Sequence, residues 1–525
     1  MKKKTFLSAL FVLSIATTAA LSGCSTGQGA STSNHTNKET TTAASNEKGT
    51  LVIARQADAS KLDPHFLTDF ESQNVIYQKV YETLVQQDKD MNIQPQLATE
   101  WKQLNDTTWE FKLQQGISFH DGTPFNAQAV QKTFQRVLDP QVGAPQASDF
   151  EMIKEVKVVD DYTFQFILKY PFSPLFSILA SNEASILSPK AIEQYGRDLA
   201  KNPVGTGPFV FESWKPGQEI VLSRNDNYWG KKAKVEKVVF KVVPEDATRV
   251  AMVETGEAHI AEPLPVTEVE RVKSSSSMTL YRNELLEVAY IGFNLKKKPL
   301  DDVRVRQAIS YAIDKESLIK GVYNDIGKLV NTPMSSKVLG FTPDIKGYPY
   351  DLNKAKELLA EAGYANGFKT SILTIDLKDR INVAEVIQSQ LKGIGIDLQI
   401  VTMESGAYFD AVMAGKQDLF LGGWGNATGD GDYNQFNLFH SSSQGFSNRW
   451  FYSNPEVDKL IEQGRRETDI EQRKKIYAKA QEIEINDAVL IPYRNPEILA
   501  AVSKNVKGFW INPVSMYMLH DVSIE

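Results

Sequence analysis

Cysteine is almost missing from this sequence: Cys24 is the only one in 525 residues. No intramolecular disulfide can form, and no multi-thiolate metal site can be built. Histidine is scarce, with six in the chain, and none begins the His-Glu-x-x-His pattern of zinc proteases. A Gly-x-Ser-x-Gly nucleophile elbow and a Walker loop are also lacking. Positive charge is in deficit: 58 Lys and Arg against 65 Asp and Glu give −7, or −10 without Lys2, Lys3 and Lys4. Such an acidic body is a poor match for wrapping a nucleic acid. A mean hydropathy of −0.31 excludes a polytopic membrane protein. What is present is a globular composition, 42% hydrophobic and 23% charged. At roughly 150 residues per domain, the length predicts about three domains.

The single cysteine has an informative setting. Lys2 to Lys4 precede an apolar run from Phe6 to Ala20, followed by Leu21-Ser22-Gly23-Cys24. A basic start, an apolar stretch and a small-residue site read as a signal peptide over residues 1–23. Leu-Ser-Gly-Cys resembles the lipobox of bacterial lipoproteins, in which cleavage leaves the cysteine first and lipidated. The alternative is an uncleaved transmembrane anchor, but the run is short for one and holds several Ser and Thr. Residues 25–49 contain no Ile, Leu, Val, Met or aromatic residue. They cannot bury enough surface to offset ordering entropy, so 24–49 reads as a lipidated cysteine and a flexible tether spanning about 25–30 Å.

Beyond the tether, strands and helices mix. Residues 108–113, 163–168 and 237–243 alternate with period two, as strands with one buried face do. Asn126 is placed to cap a helix over 127–138. Asn353 is placed to cap 354–362, with Gly363 as its stop, and Asp469 to cap 470–485. Composition shows no boundary within 50–525.

Few motifs carry chemistry. Gly205-Thr206-Gly207 lies between Pro203 and Pro208, which favours a rigid turn over a phosphate-binding helix start. His120-Asp121 has the residue types of an acid–base pair, but Asp-Gly after a strand reads as a turn. Asp430-Gly431-Asp432 has calcium-loop spacing. However, Gln435 stands where such a loop needs Gly, and Ser441 where it needs Glu. No catalytic, metal or cofactor site is predicted. Trp424 stands out among Gly422, Gly423 and Gly425. Glycines let a ligand approach the backbone closely, and an indole is a flat apolar wall. The competing reading is a hairpin loop with a packed tryptophan.

Several segments, in order, resemble the family-five solute-binding proteins of bacterial ABC importers, the dipeptide, oligopeptide, nickel and glutathione binders. They include Leu62-Asp63-Pro64-His65, Phe119-His120-Asp121-Gly122-Thr123-Pro124-Phe125 and Gly205-Thr206-Gly207-Pro208-Phe209. The most specific is Gly292-Phe293-Asn294 followed by Asp302-Val303-Arg304-Val305-Arg306-Gln307-Ala308 and Tyr311-Ala312-Ile313-Asp314. Phe451-Tyr452-Ser453-Asn454-Pro455 and Gly508-Phe509-Trp510 follow near the end. The resemblance covers residues 50–525. It implies an α/β protein, the two-lobed type II periplasmic-binding-protein fold with an extra inserted domain. Lobe I would be 50–81, 203–293 and 487–525, the inserted domain 82–202, and lobe II 294–486. It also implies a peptide or glutathione ligand and a monomer that partners ABC permease subunits and their ATPases. Location would be lipid-anchored on the extracytoplasmic face of a Gram-positive type of cell membrane, through Cys24. The alternative class is a secreted, lipid-anchored peptide hydrolase or a chaperone-like scaffold.

In dipeptide and oligopeptide binders, an aspartate three residues after this tryptophan grips the ligand's α-amino group. Here that position is Ala427. The run Thr428-Gly429-Asp430-Gly431-Asp432 instead resembles the glutathione-binding branch. A peptide zwitterion needs an acid for one end and a base for the other, since burying either charge unpaired costs several kcal/mol. Asp430 and Asp432 are the candidates for the amino end. Arg380, with Lys378 beside it, is the candidate for the carboxylate, although Asp376 and Asp379 are placed to pair with it on the surface.

Overall fold

The computed structural model describes residues 49–67 and 69–525. The expected signal peptide, Cys24 and nearly all of the tether lie outside the described residues. No described helix is long and apolar enough to cross a membrane.

Three sheets organise the described chain. The first has seven strands, in the order Met278–Glu284, Glu497–Ser503, Ile260–Glu262, Thr50–Arg55, Lys237–Val242, Glu219–Arg224 and Phe209–Lys215. Thr50–Arg55 runs parallel to both of its neighbours, and the outer pairings are antiparallel. The second has six strands, in the order Lys328–Leu329, Leu490–Asn495, Glu287–Phe293, Leu419–Gly425, Lys369–Ile375 and Asp397–Met403. The third is a four-stranded antiparallel sheet of Ala98–Asn105, Thr108–Leu113, Thr163–Leu168 and Ile153–Asp160.

Alternation decides which face of each strand is buried. In Thr163–Leu168 the buried residues are Phe164, Phe166 and Leu168, with polar positions between. Phe111 stacks on Phe164 at 5.2 Å, and Phe166 meets both edge-on. Together with helix Ala127–Leu138 they form a core separate from those of the other two sheets. The first sheet is covered on both faces: Leu51 and Ile53 point into one core, Val52 and Ala54 into another. The second is likewise buried on both faces, with Ile291 and Phe293 on one side and Tyr290 on the other.

The expected strands at 108–113 and 163–168 are present, the one expected at 237–243 runs over Lys237–Val242, and the helix caps Asn126 and Asp469 are in place. One cap differs. The helix over Leu352–Glu361 is capped by Asp351, not Asn353, because the Asp351 carboxylate accepts from the amides of Asn353 and Lys354.

The lobe boundaries read from sequence also need correction. Glu287–Phe293 and Leu490–Asn495, assigned above to lobe I, pair with each other and belong to the second sheet. The chain crosses from first to second sheet between Glu284 and Glu287, and returns between Asn495 and Glu497. The two crossings lie side by side. Leu285 N donates to the Pro496 carbonyl at 3.1 Å, and Asn495 Nδ2 donates to the carbonyls of Leu285 (2.6 Å) and Glu287 (2.8 Å). The third sheet's core extends to Ile186, whereas Leu187, Ala191 and Leu199 pack into the core of the first sheet. The inserted unit therefore ends short of 202.

Candidate functional site

Several family-like motifs turn out to hold the fold together. The carboxylate of Asp63 receives the Arg136 guanidinium, with Nη1 3.1 Å from Oδ1, and both side chains are buried. His120 Nε2 lies 3.0 Å from the Gly207 carbonyl, and its backbone amide donates to Gly205. A Cβ on Gly205 would sit 2.0 Å from the Val80 carbonyl oxygen, and one on Gly207 2.2 Å from that of Lys79. These glycines serve backbone approach. Asp121 accepts from Thr123 N (2.9 Å) and Ser188 Oγ (2.6 Å), which agrees with a turn.

The loop after strand Leu419–Gly425 is built around Asn426. Its Oδ1 accepts from the amides of Thr428 (2.9 Å) and Gly429 (2.6 Å), and its Nδ2 donates to the Asp430 carbonyl (2.7 Å). Asp430 then caps helix Gly431–Phe439 by accepting from Asp432 N at 2.9 Å. This lays Gly425, Asn426, Ala427 and Thr428 along one wall of a cavity of about 310 Å³.

That cavity draws walls from all three parts of the fold. Tyr433 and Glu287 come from the second lobe, Phe70, Gln73 and Tyr77 from the first, and Asp149, Asn182 and Glu183 from the inserted unit. A second cleft of about 850 Å³ adjoins it and shares Phe70, Leu285, Glu287 and Ser515. Arg55, Lys378, Asp379 and Arg494 stand on the walls of this larger cleft. The inserted unit also reaches the loop directly: Gln87 Nε2 donates to the Thr428 carbonyl at 2.6 Å. Ser173 N donates to the carbonyl of Arg465 at 2.8 Å.

The residues expected to bind ligand are not brought together. Asp430 and Asp432 are buried and line neither cavity. Arg473 donates to both carboxylate oxygens of Asp430, 2.7 Å each, and Arg465 Nε lies 3.1 Å from Asp432. Burial pushes the Asp432 carboxyl up to about 6, against the pull of Arg465. Each aspartate is matched by an arginine that sequence spacing does not reveal.

Trp424 is half-buried and packs beside the core of Tyr290, Phe420 and Trp450. It is off the cavity wall, but its ring lies 5.4 Å from that of Tyr433, which is on the wall. Its Nε1 is buried without a hydrogen-bond partner. Arg380 opens helix Lys378–Lys392 and faces inward rather than toward Asp376. A Cβ on Gly423 would lie 2.6 Å from Glu287 Oε1 and 3.6 Å from Arg380 Nη2, so these two charges converge over that glycine. Lys378, one turn-start earlier, is exposed and borders the larger cleft.

The acids that do line the smaller cavity are Asp149, Glu183 and Glu287. Burial, reinforced by the charge of Glu183, pushes the Asp149 carboxyl up to about 7. Burial also pushes Glu183 up. The Tyr433 phenol is pushed up by burial and then by Asp149 and Glu183, so it stays neutral and can donate a hydrogen bond. Sequence reasoning missed all of these. Asp149 and Glu183 sit in short 3₁₀ turns, Pro145–Phe150 and Asn182–Ala184, with no periodicity to mark them. Among the described residues, no group of three or more His, Cys, Asp or Glu is placed to hold a metal ion.

Two α/β lobes joined by paired crossings, an antiparallel unit inserted into the first, and a cleft between them define a two-lobed binding protein of the type II periplasmic class. The chain belongs to the bacterial extracellular solute-binding proteins, family 5, whose model (the family's middle region) matches residues 92–446. It is 31% identical over 488 residues to the glutathione-binding protein GsiB of Escherichia coli K12, covering 90% of this chain and 94% of that one. Among solved structures it is similar to DppA from Helicobacter pylori in complex with the peptide STSA, with 32% identity and a TM-score of 0.79, covering 91% of this chain and 98% of that one. HbpA2 from Haemophilus parasuis gives a TM-score of 0.83 at 30% identity, covering 91% and 100%. GsiB and DppA are binding proteins.

Proposed function

We propose that this protein is the substrate-binding component of an ABC importer. It captures a peptide, either a short peptide or glutathione, between its lobes and delivers it to a membrane permease for ATP-driven uptake. The observation that carries this reading is the pair of adjoining cavities walled by both lobes and the inserted unit, in a chain similar to peptide- and glutathione-binding proteins. Closure of such lobes follows from a ligand that contacts both and so selects the closed form. Cys24 carries the lipid anchor on the extracytoplasmic face, and the protein acts as a monomer. For a ligand carboxylate the proposed bases are Lys378, which borders the larger cleft, and Arg380, which lies beside Glu287.

Native mass spectrometry of the purified protein after incubation with a peptide mixture tests this. Intact co-purified peptide supports the binder. Cleaved peptides would support a hydrolase, and retention of unfolded polypeptides a chaperone-like scaffold.

A further inference from the structure

The smaller cavity is charged in one sense only. Asp149, Glu183 and Glu287 are on its wall, and no Lys, Arg or His is. The acids expected to meet the ligand from the loop are not there: Asp430 and Asp432 are paired with Arg473 and Arg465, and position 427 is alanine. Asp149 and Glu183 make no ion pair with any described Lys or Arg. Glu183 accepts a long contact from Gln73 Nε2, at 3.4 Å, and is otherwise met only by its own backbone amide and the neighbouring Ser181 hydroxyl.

A second observation on the same wall points to a missing polar partner. Asn182 is 5% exposed, and neither its Oδ1 nor its Nδ2 has a hydrogen-bond partner. A buried polar group left unpaired is costly, and native structures rarely retain one without a use. Its neighbours in the chain, Ser181 and Glu183, also line the cavity. This segment belongs to the inserted unit, as does Asp149. The acids thus come from a different part of the fold than Ala427, where the dipeptide binders carry their acid.

We propose that this cavity receives the positively charged end of a peptide bearing at least two cationic groups, held by Asp149 and Glu183 of the inserted unit, with Glu287 facing them from the second lobe. One ammonium offsets one carboxylate. A second cation, such as the side chain of an N-terminal lysine or arginine, offsets another. Glutathione, with two carboxylates against one ammonium, brings the wrong sign to this wall. Arg380 already faces Glu287. Discrimination by a wall of one sign follows from charge repulsion as much as from attraction.

The proposal rests on the peptide reading above, and calorimetric titration separates the two. Full-length protein is titrated with Lys-Ala-Ala, Ala-Ala-Ala and glutathione. Lys-Ala-Ala is expected to bind at least about tenfold tighter than Ala-Ala-Ala, with glutathione weaker than both. That preference is expected to shrink as ionic strength rises. In Asp149→Asn and in Glu183→Gln the ratio of the two tripeptide affinities should fall toward one, with melting temperature recorded to show that each variant is folded. The salt series needs no variant, so it stands even if a substitution unfolds the protein. Equal binding of the two tripeptides overturns this inference and leaves the peptide reading intact, as does tighter binding of glutathione. Absence of binding by all three overturns both.

Discussion

Arg473 holds both carboxylate oxygens of Asp430 at 2.7 Å, inside a region where each side chain is almost fully buried. The pair joins the loop that lines the cavity to helix Ile470–Asn486, and Arg473 Nε also donates to the Gly464 carbonyl of the adjoining helix. An aspartate that the sequence offers to the ligand is thus an internal brace for the loop.

That geometry predicts an asymmetric response to mutation. Arg473→Met leaves a buried carboxylate without a partner and should lower stability by about 3–5 kcal/mol. The double variant Asp430→Asn with Arg473→Met should recover part of the loss, because no isolated charge remains. Urea unfolding of the two variants measures both. A mild Arg473→Met effect would mean that Asp430 is reached by solvent or ligand.

Asp149 gives a pH dependence. Its carboxyl is pushed up to about 7 by burial and then by Glu183, with Tyr433 neutral and Glu287 on the wall of the same cavity. Unfolded, it ionises near the usual value of about 4. Between about pH 4 and pH 7 the folded form therefore holds more protons than the unfolded one, so this group's contribution to stability falls as pH rises. A cationic ligand favours the ionised form, so its affinity should increase from about pH 6 to about pH 8, with protons released on binding. Titration calorimetry in buffers of different ionisation enthalpy reads both. A pH-independent affinity would remove Asp149 from the contact.

Trp424 joins the core to the cavity. Its side chain packs against the core that contains Phe420 and Trp450, and its ring meets Tyr433 on the cavity wall. Trp424→Ala should lower stability by about 2 kcal/mol, less than full burial would cost. It should also weaken ligand binding through the loosened Tyr433. Trp424→Phe should restore most of the stability. Chemical denaturation alongside affinity measurement distinguishes this from a ring that only contacts ligand.

Gln87 ties the inserted unit to the loop through its 2.6 Å donation to the Thr428 carbonyl. Gln87→Ala removes a bond that spans the cavity and should speed ligand release several-fold by weakening the closed arrangement. Small-angle scattering should show the radius of the parent protein decreasing on ligand saturation, and less so in the variant. An unchanged radius in the parent would mean that the lobes do not move.

Cys24→Ala should abolish membrane retention, leaving protein in the medium or as uncleaved precursor. Fractionation and mass measurement of the N-terminus decide. Continued membrane association with normal processing would disprove the lipoprotein reading.

The sequence alone determined the local elements and the class of fold. Alternating Phe164, Phe166 and Leu168 specify a strand, and Asn126 and Asp469 specify helix starts, because period and capping act over a few residues. The ordered motifs specified the family, and the match over residues 92–446 agrees. Only the tertiary structure decided which sheet Glu287–Phe293 joins, since that depends on pairing with strands about 130 and 200 residues away. It also decided which acids face the cavity. Asp430 and Asp432 stood beside a conspicuous glycine–tryptophan loop, yet arginines more than 30 residues along the chain neutralise them. Asp149 and Glu183 had no signature, and reach the cavity wall only because the inserted unit folds its short turns against the lobes. A carboxylate's role is set by which charges surround it in space, and that is fixed by long-range packing that local patterns do not encode.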